Sequence, residues 1–137
     1  LGATHGINRK TCGDVVAEIK KITGGGADYA IDTSGVPDMV KKALASVKFL
    51  GTAVVLGVTG DLTINVQAEL MGEGKSLIGI VEGDSNPKLF IPQLISYYKE
   101  GRFPFDRLIH VYDFNDINEA FHASHSGKVI KALLKMN

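Results

Sequence analysis

Residues 50–58 read Leu-Gly-Thr-Ala-Val-Val-Leu-Gly-Val, a short apolar run that contains two glycines. A run that is apolar on both faces is typical of a strand inside a parallel sheet, because helices cover both sides of such a sheet. Similar segments occur upstream, at Tyr29 to Asp32, and downstream, at Leu77 to Val81. Between Asp32 and residue 50, apolar residues recur at helical spacing from Val40 to Val47. This alternation predicts an α/β fold with a mostly parallel sheet.

The segment before Tyr29 predicts a helix with clear ends. Thr11 to Asp14 matches a capping box at a helix start, and Gly24 to Gly26 ends the helix because glycine adopts the left-handed cap conformation without a Cβ penalty. Pro37 suits the first turn of the next helix. His5 to Asn8 is interpreted as a short strand.

The remaining segments continue the alternation. A helix is predicted from Asn86-Pro87 to Tyr98, with either a kink at Pro92 or its true start there. The other predicted elements are a short strand at Leu62 to Val66, a helical turn at Gln67 to Met71, a strand at Leu108 to Tyr112, a helix capped by Asn115-Asp116 and a strand at Val129 to Leu134.

Composition excludes several classes of function. The 137 residues contain 15 Lys plus Arg and 15 Asp plus Glu, so no net charge would attract nucleic acid. No apolar run approaches the roughly 20 residues that a membrane span needs. The single cysteine, Cys12, cannot form an internal disulfide and indicates a reducing, cytoplasmic location.

Three local motifs do not support a site. Gly24 to Gly26 follows a helix and precedes a strand, which is the wrong order for a phosphate-binding loop. Gly74-Lys75-Ser76 resembles the end of a Walker A loop, but Glu69 stands where that motif needs glycine. His122 and His125 have a spacing that can hold a metal, but no third ligand is evident. We therefore expect no catalytic residue and no metal ligand in this chain.

The predicted strand ends are more informative. Ile31 to Gly35, Leu56 to Val58 and Gly79 to Gly83 each follow or end a predicted strand and contain glycine. Ligands of open α/β sheets bind outside the carboxyl ends of the strands, and glycine lets a flat ligand approach the backbone closely. Ordinary turn glycines would give the same pattern, so the pattern alone leaves both readings open.

Three stretches carry a specific resemblance: Gly25 to Gly35, Leu50 to Val58 and Ser124 to Lys131. They resemble the fourth strand, the fifth strand and the C-terminal signature of zinc-type medium-chain alcohol dehydrogenases. Gly101 to Asp106, within the stretch from Glu82 to Ile109, looks most like the aryl- or benzyl-alcohol dehydrogenase branch. The resemblance runs through nearly the whole chain but covers only the later part of the family's length.

The resemblance implies a set of cofactor contacts. Thr33 would lie beside the adenosine, Leu56 to Val58 under the nicotinamide and its ribose, and the backbone of Ile80 to Glu82 against the carboxamide. Lys131 would contact the pyrophosphate, where relatives often have Arg, and its point charge replaces a bidentate clasp. The implied cofactor-binding residues are Thr33, Leu56, Gly57, Val58, Ile80, Val81, Glu82 and Lys131.

The resemblance also implies what this chain lacks. In the family, the Gly-rich loop, the acidic residue on the adenosine ribose and all zinc ligands lie upstream of the matching segment. We therefore expect an incomplete doubly wound (Rossmann) sheet without its first two strands in residues 1–84. Residues 85–137 would pack on that domain and return to the family's catalytic domain. NAD is the expected cofactor, with NADP left open, and zinc is expected in the full-length enzyme but not on this chain.

The function implied is the C-terminal cofactor-binding portion of an NAD-dependent alcohol dehydrogenase that acts on aromatic alcohols and is inactive as a fragment. A zinc-free quinone or enoyl reductase and a stand-alone nucleotide-binding module remain as alternatives. We expect an alcohol substrate in the parent enzyme, no nucleic acid or membrane partner, and homo-oligomerisation through the Leu77 to Val81 strand edge. We also expect the fragment to self-associate through exposed strand edges, and we expect His5 to Asn8 to be displaced or disordered because the partner strand is missing.

Overall fold

The computed structural model describes residues 1–136, in which residues 2–84 and residues 85–136 form two compact units. The first unit contains α1 (Val15–Thr23), β1 (Ala27–Asp32), α2 (Pro37–Ser46), β2 (Val47–Val55), α3 (Val66–Glu69) and β3 (Ser76–Gly79). The second contains α4 (Pro87–Lys99), β4 (Ile109–Asp113), α5 (Ile117–His125) and β5 (Lys131–Lys135). Short 3-10 turns cover Met71–Glu73, Glu82–Asp84, Phe105–Leu108 and Phe114–Asp116.

Every pairing between these strands is parallel, which confirms the predicted α/β class. The first unit has one sheet of order β1-β2-β3, and the second has a pair formed by β4 and β5. In the first sheet Asp32 is in register with Val55, and Val55 with Gly79. The three strands therefore end together at one edge. The assignment of residues 85–136 to a segment that returns to another domain stays a prediction.

Each unit has its own small core. In the first unit α2 packs on β1 and β2, and its side of the core consists of Val40 and Leu44, each 1% exposed. Val47 and Ala53 of β2 are equally buried. In the second unit α5 packs on β4 and β5, where Tyr112, Ala120 and Ala123 are buried. Removing this apolar surface from water is what stabilises each unit.

The ends of α1 follow from its flanking residues, with one correction. Asp14 is itself the N-cap, and its Oδ1 accepts a hydrogen bond of 3.0 Å from the Ala17 amide. Thr11 is therefore not the cap: its hydroxyl donates to the Asn8 carbonyl instead. Gly24 ends the helix in the left-handed conformation, as predicted.

Three other predictions of local structure need correction. Residues 5–8 form no strand, and among the described strands β1 pairs only with β2, so the interpretation of residues 5–8 as a strand is wrong, whereas their expected displacement from the sheet is confirmed. Residues 62–65 are also irregular, because the Asn65 side chain caps α3, which begins at Val66. The helix after Asn86 starts at Pro87 and continues through Pro92, so Pro92 is not its start. Among residues 1–136, no helix combines the length and the apolar character needed to cross a membrane.

Candidate functional site

The carboxyl ends of β1, β2 and β3 bring together most of the residues singled out in the sequence. Thr33 follows β1 directly, Leu56 to Val58 follow β2, and Ile80 to Glu82 follow β3. We call these residues together the strand-end surface. Because the three strands are parallel and in register, this surface lies along one edge of the sheet. That edge is where open α/β sheets bind ligands.

Asp32 organises the first part of this edge. It is 5% exposed, and its Oδ1 accepts hydrogen bonds from the Ser34 hydroxyl (2.6 Å) and the Ser34 amide (3.3 Å). Its Oδ2 accepts from the Gly35 amide at 3.0 Å. The Ser34 hydroxyl, with these two amides, holds the pKa of Asp32 below its ordinary value, although burial acts in the opposite direction. The carboxylate is thus a satisfied anion that fixes the turn.

The turn after β1 and the segment after β2 touch at backbone distance. A Cβ on Gly57 would lie 2.3 Å from the Gly35 nitrogen, and a Cβ on Gly35 would lie 2.2 Å from the Val58 carbonyl oxygen. Gly35 also has φ +66°, a conformation that other residues adopt only with strain. Both positions therefore require glycine, and the backbones of the two segments are in direct contact.

Apolar side chains are unusually exposed on the strand-end surface. Val58 is fully exposed, Val81 is 78% exposed and Leu56 is 47% exposed. The hydroxyl oxygen of the neighbouring Thr59 is buried and has no hydrogen-bond partner among the described residues. Exposed apolar side chains beside close-packed glycine backbone can support a flat, partly apolar ligand.

The segment after β3 has a strained backbone. Glu82, Gly83 and Asp84 have φ values of 51°, 68° and 50°, all in the left-handed region. The turn is closed by the Asp84 amide, which donates to the Val81 carbonyl at 2.8 Å. The Ile80 amide already donates to Val55, at 3.1 Å, and continues the sheet. Backbone strain of this kind at non-glycine residues is often found at ligand sites.

Lys131 is the one predicted cofactor residue outside this edge. It is the first residue of β5, in register with Ile109 of β4, and its side chain is exposed. Lys131 therefore belongs to the second unit, whereas all other residues of the predicted site belong to the first.

The remaining motifs have structural roles. Gly74 ends a 3-10 turn, and Lys75 pairs with Glu73, whose pKa that pairing lowers. No group of three His, Cys, Asp or Glu side chains within residues 1–136 could hold a metal ion. His122 and His125 are both exposed on α5. The donors within these described residues therefore do not form a zinc site.

Sequence reasoning missed the role of the Asp32 side chain. Its signal was present, because Asp followed two residues later by Ser and then by Gly is typical of a turn in which the carboxylate accepts local amides. The strand pattern alone places Asp32 at a strand end and gives its side chain no role.

Residues 1–96 match the family model of the zinc-binding dehydrogenases. The chain belongs to this family. The match includes the whole strand-end surface and ends within α4.

Several zinc-binding dehydrogenases are similar along nearly the whole chain. Geraniol dehydrogenase of Castellaniella defragrans is 40% identical over 136 residues, which are 98% of this chain and 36% of the relative. The solved benzyl alcohol dehydrogenase of Acinetobacter calcoaceticus is 40% identical with a TM-score of 0.94, and the match covers 99% of this chain and 38% of that one. An alcohol dehydrogenase zinc-binding domain protein of Burkholderia ambifaria is 42% identical with a TM-score of 0.93, over 99% and 37%.

The chain matches only part of each relative. The chain spans a little over a third of the length of each of these relatives, 36% to 38%. The suspected relation to zinc-type medium-chain alcohol dehydrogenases is confirmed for this length of chain, and so is the α/β fold.

Proposed function

We propose that this chain is the C-terminal cofactor-binding portion of an NAD-dependent alcohol dehydrogenase and that it has no activity by itself. The observation that carries the proposal is the strand-end surface, which combines exposed apolar side chains with glycine backbone too close-packed for any Cβ. Such a surface suits one face of a nicotinamide ring. When bound, the cofactor accepts or donates the hydride, and the protein binds and orients it.

We propose that each predicted residue contacts one part of the cofactor. Thr33 would contact the adenosine, Leu56, Gly57 and Val58 the nicotinamide and ribose, and the backbone from Ile80 to Glu82 the carboxamide. Lys131 would contact the pyrophosphate as a flexible point charge. NAD is our choice of cofactor, and the residue that selects NAD or NADP is expected at the end of a strand outside this chain.

We further propose a primary alcohol, aromatic in character, as the substrate of the parent enzyme. The similarity to benzyl alcohol dehydrogenase, at 40% identity, supports the aromatic ring, and the similarity to geraniol dehydrogenase, also at 40%, supports only the primary alcohol. The alcohol would be activated by zinc held elsewhere in the enzyme, since residues 1–136 contain no group of three His, Cys, Asp or Glu side chains that could hold it. Homo-oligomerisation through β3 and a cytoplasmic location belong to the same proposal.

The experiment is a hybrid enzyme, in which residues 1–137 replace the matching C-terminal segment of geraniol dehydrogenase. We expect the hybrid to reduce NAD with an alcohol, while the chain alone produces no NADH. A hybrid that folds, judged by circular dichroism, but does not reduce NAD would contradict the proposal. Turnover by the chain alone would contradict it as well.

A stand-alone nucleotide-binding module is the second candidate. It is favoured by the compactness of residues 2–84, which include the whole strand-end surface. Calorimetric titration of NAD into the chain separates the candidates. Tight binding by the chain alone supports the module. Weak or no binding supports the proposal that the chain contains only half of the cofactor site.

A further inference from the structure

One residue connects two of the three segments that form the strand-end surface. The Asp32 side chain accepts three hydrogen bonds from the turn after β1, given by Ser34 and Gly35. Its backbone carbonyl accepts two more from the segment after β2, from the Leu56 amide at 2.9 Å and the Gly57 amide at 3.1 Å. Asp32 therefore joins the position of one loop to that of the other.

The two loops have no room to move separately. Gly35 and Gly57 approach so closely that an added Cβ on either would overlap backbone of the opposite loop. We therefore expect a change in the turn after β1 to displace Gly57 or Val58.

The Ser34 hydroxyl completes this arrangement. It donates to Asp32 Oδ1 at 2.6 Å and accepts a hydrogen bond from the Val36 amide at 3.2 Å. A hydrogen bond to a carboxylate is stronger than one between neutral groups, so this contact contributes more than an ordinary turn hydrogen bond. Ser34 itself is exposed, so a small substitution at this position changes the hydrogen bond without disturbing the core.

We propose that Asp32 and Ser34 are positioning residues of the cofactor site, which set the placement of Gly57 and Val58 beneath the nicotinamide through the turn at Gly35. This inference rests on the proposed function. Neither residue is assigned a contact with the reacting atoms, so its loss weakens cofactor binding more than it slows hydride transfer.

The test uses the hybrid enzyme with Ser34→Ala, Ser34→Thr and the control Asp38→Asn. Ser34→Ala removes the hydroxyl, and we expect the Kd for NAD to rise about tenfold, which equals about 1.4 kcal/mol, while the rate of hydride transfer in a single turnover changes much less. Ser34→Thr keeps the hydroxyl and restores the Kd. Asp38 is an exposed carboxylate on α2 that pairs with Lys42, so its substitution leaves the Kd unchanged.

A second measurement does not depend on the hybrid. In the 137-residue chain, Ser34→Ala is expected to speed amide hydrogen exchange at Leu56 and Gly57, the two amides bonded to the Asp32 carbonyl, and Ser34→Thr to leave it unchanged. The carboxyl carbon shift of Asp32 reports the same loss directly. A merely local turn would change exchange at Gly35 and Val36 alone.

The results that overturn the inference differ from those that overturn the proposed function. An unsubstituted hybrid that folds without reducing NAD sinks the proposed function. An active hybrid in which Ser34→Ala leaves the Kd unchanged sinks the inference, as does unchanged exchange at Leu56 and Gly57. A Ser34→Thr variant that behaves like Ser34→Ala also sinks it, because the hydroxyl would not be responsible.

Discussion

The Asp32 carboxylate lies among neutral donors at the end of a strand, and this environment decides how the residue titrates. The Ser34 hydroxyl and the amides of Ser34 and Gly35 favour its charged form, so its pKa lies below the ordinary value. The pKa of Asp28 is also lowered, by its ion pair with Lys48, but both side chains of that pair are largely exposed. The two carboxylates thus have the same direction of shift for different reasons.

The carboxylates of Asp32 and Asp28 are expected to contribute differently to stability in acid. A carboxylate whose pKa is lowered by folding contributes stability above its unfolded pKa, and that contribution is lost as the pH falls through the folded pKa. We therefore expect Asp32→Asn to flatten the fall in the free energy of unfolding below about pH 4, at low and at high salt. Asp28→Asn should flatten it only at low salt, since salt screens an exposed pair. Denaturant titrations at several pH values measure both, and equal salt dependence would contradict the assignment.

Gly57 offers a direct test of the contact between the loops. Gly57→Ala places a Cβ 2.3 Å from backbone of the opposite loop, so we expect a loss of about 1–3 kcal/mol in the free energy of unfolding. Gly60→Ala is the matched control, because a Cβ there meets nothing within 4 Å. Urea denaturation of both variants gives the comparison. Equal stability of the two would mean that the loops separate easily.

At the scale of elements, the helix starts differ in how they are capped. Asp14 of α1 and Asn86 of α4 accept a backbone amide with their side chains, whereas Asp116 at the start of α5 makes no such hydrogen bond. Asp and Asn are both common caps, so the sequence does not distinguish the three positions. Only the geometry of the first turn decides whether the side chain reaches an amide.

This difference predicts the effect of removing each aspartate. Asp14→Ala should cost about 1 kcal/mol, the usual value for a cap that is formed. Asp116→Ala should cost little, because no capping hydrogen bond is lost. Hydrogen exchange within α1 and α5 follows the two helices separately. A larger effect in α5 than in α1 would contradict the assignment of the caps.

At the scale of the whole molecule, the first sheet has two edges that no other described strand pairs with. β1 and β3 lie at the ends of the order β1-β2-β3, and Tyr29 and Ile31 on β1 are 74% and 63% exposed. Ile78 on β3 is 42% exposed. Strand edges of this kind recruit further strands unless charge or a covering segment prevents it.

We therefore predict that the chain self-associates, and we choose β3 as the contact because the family resemblance implies pairing through residues 77–81. Ile78→Lys should shift the molecule towards monomer in sedimentation velocity at micromolar concentration, because a charge on an edge strand opposes pairing. Ile31→Lys, at the other edge, should leave association unchanged. The reverse result would move the contact to β1, and a monomeric unsubstituted chain would remove the prediction.

Much of the fold could be predicted from the sequence because it depends on local patterns. The apolar runs of β1 and β2, the glycine at the end of α1 and Pro37 at the start of α2 were all identified from the sequence, since periodicity and backbone preference act over a few residues. Boundaries failed where local patterns compete: Asn65 caps α3 through the Ala68 amide where a strand was expected, and Asp14 caps α1 through the Ala17 amide in place of Thr11.

The sequence by itself determined the fold class, the family and the order of segments that meet at the strand ends, because these follow from hydrophobic pattern and from motifs contiguous along the chain. Only the tertiary structure decided that Gly35 and Gly57 touch and that Asp32 binds both loops at once. Residues 32 and 57 lie 25 positions apart. Their contact exists because parallel pairing of β1 with β2 brings the two strand ends together, and no local pattern encodes that register.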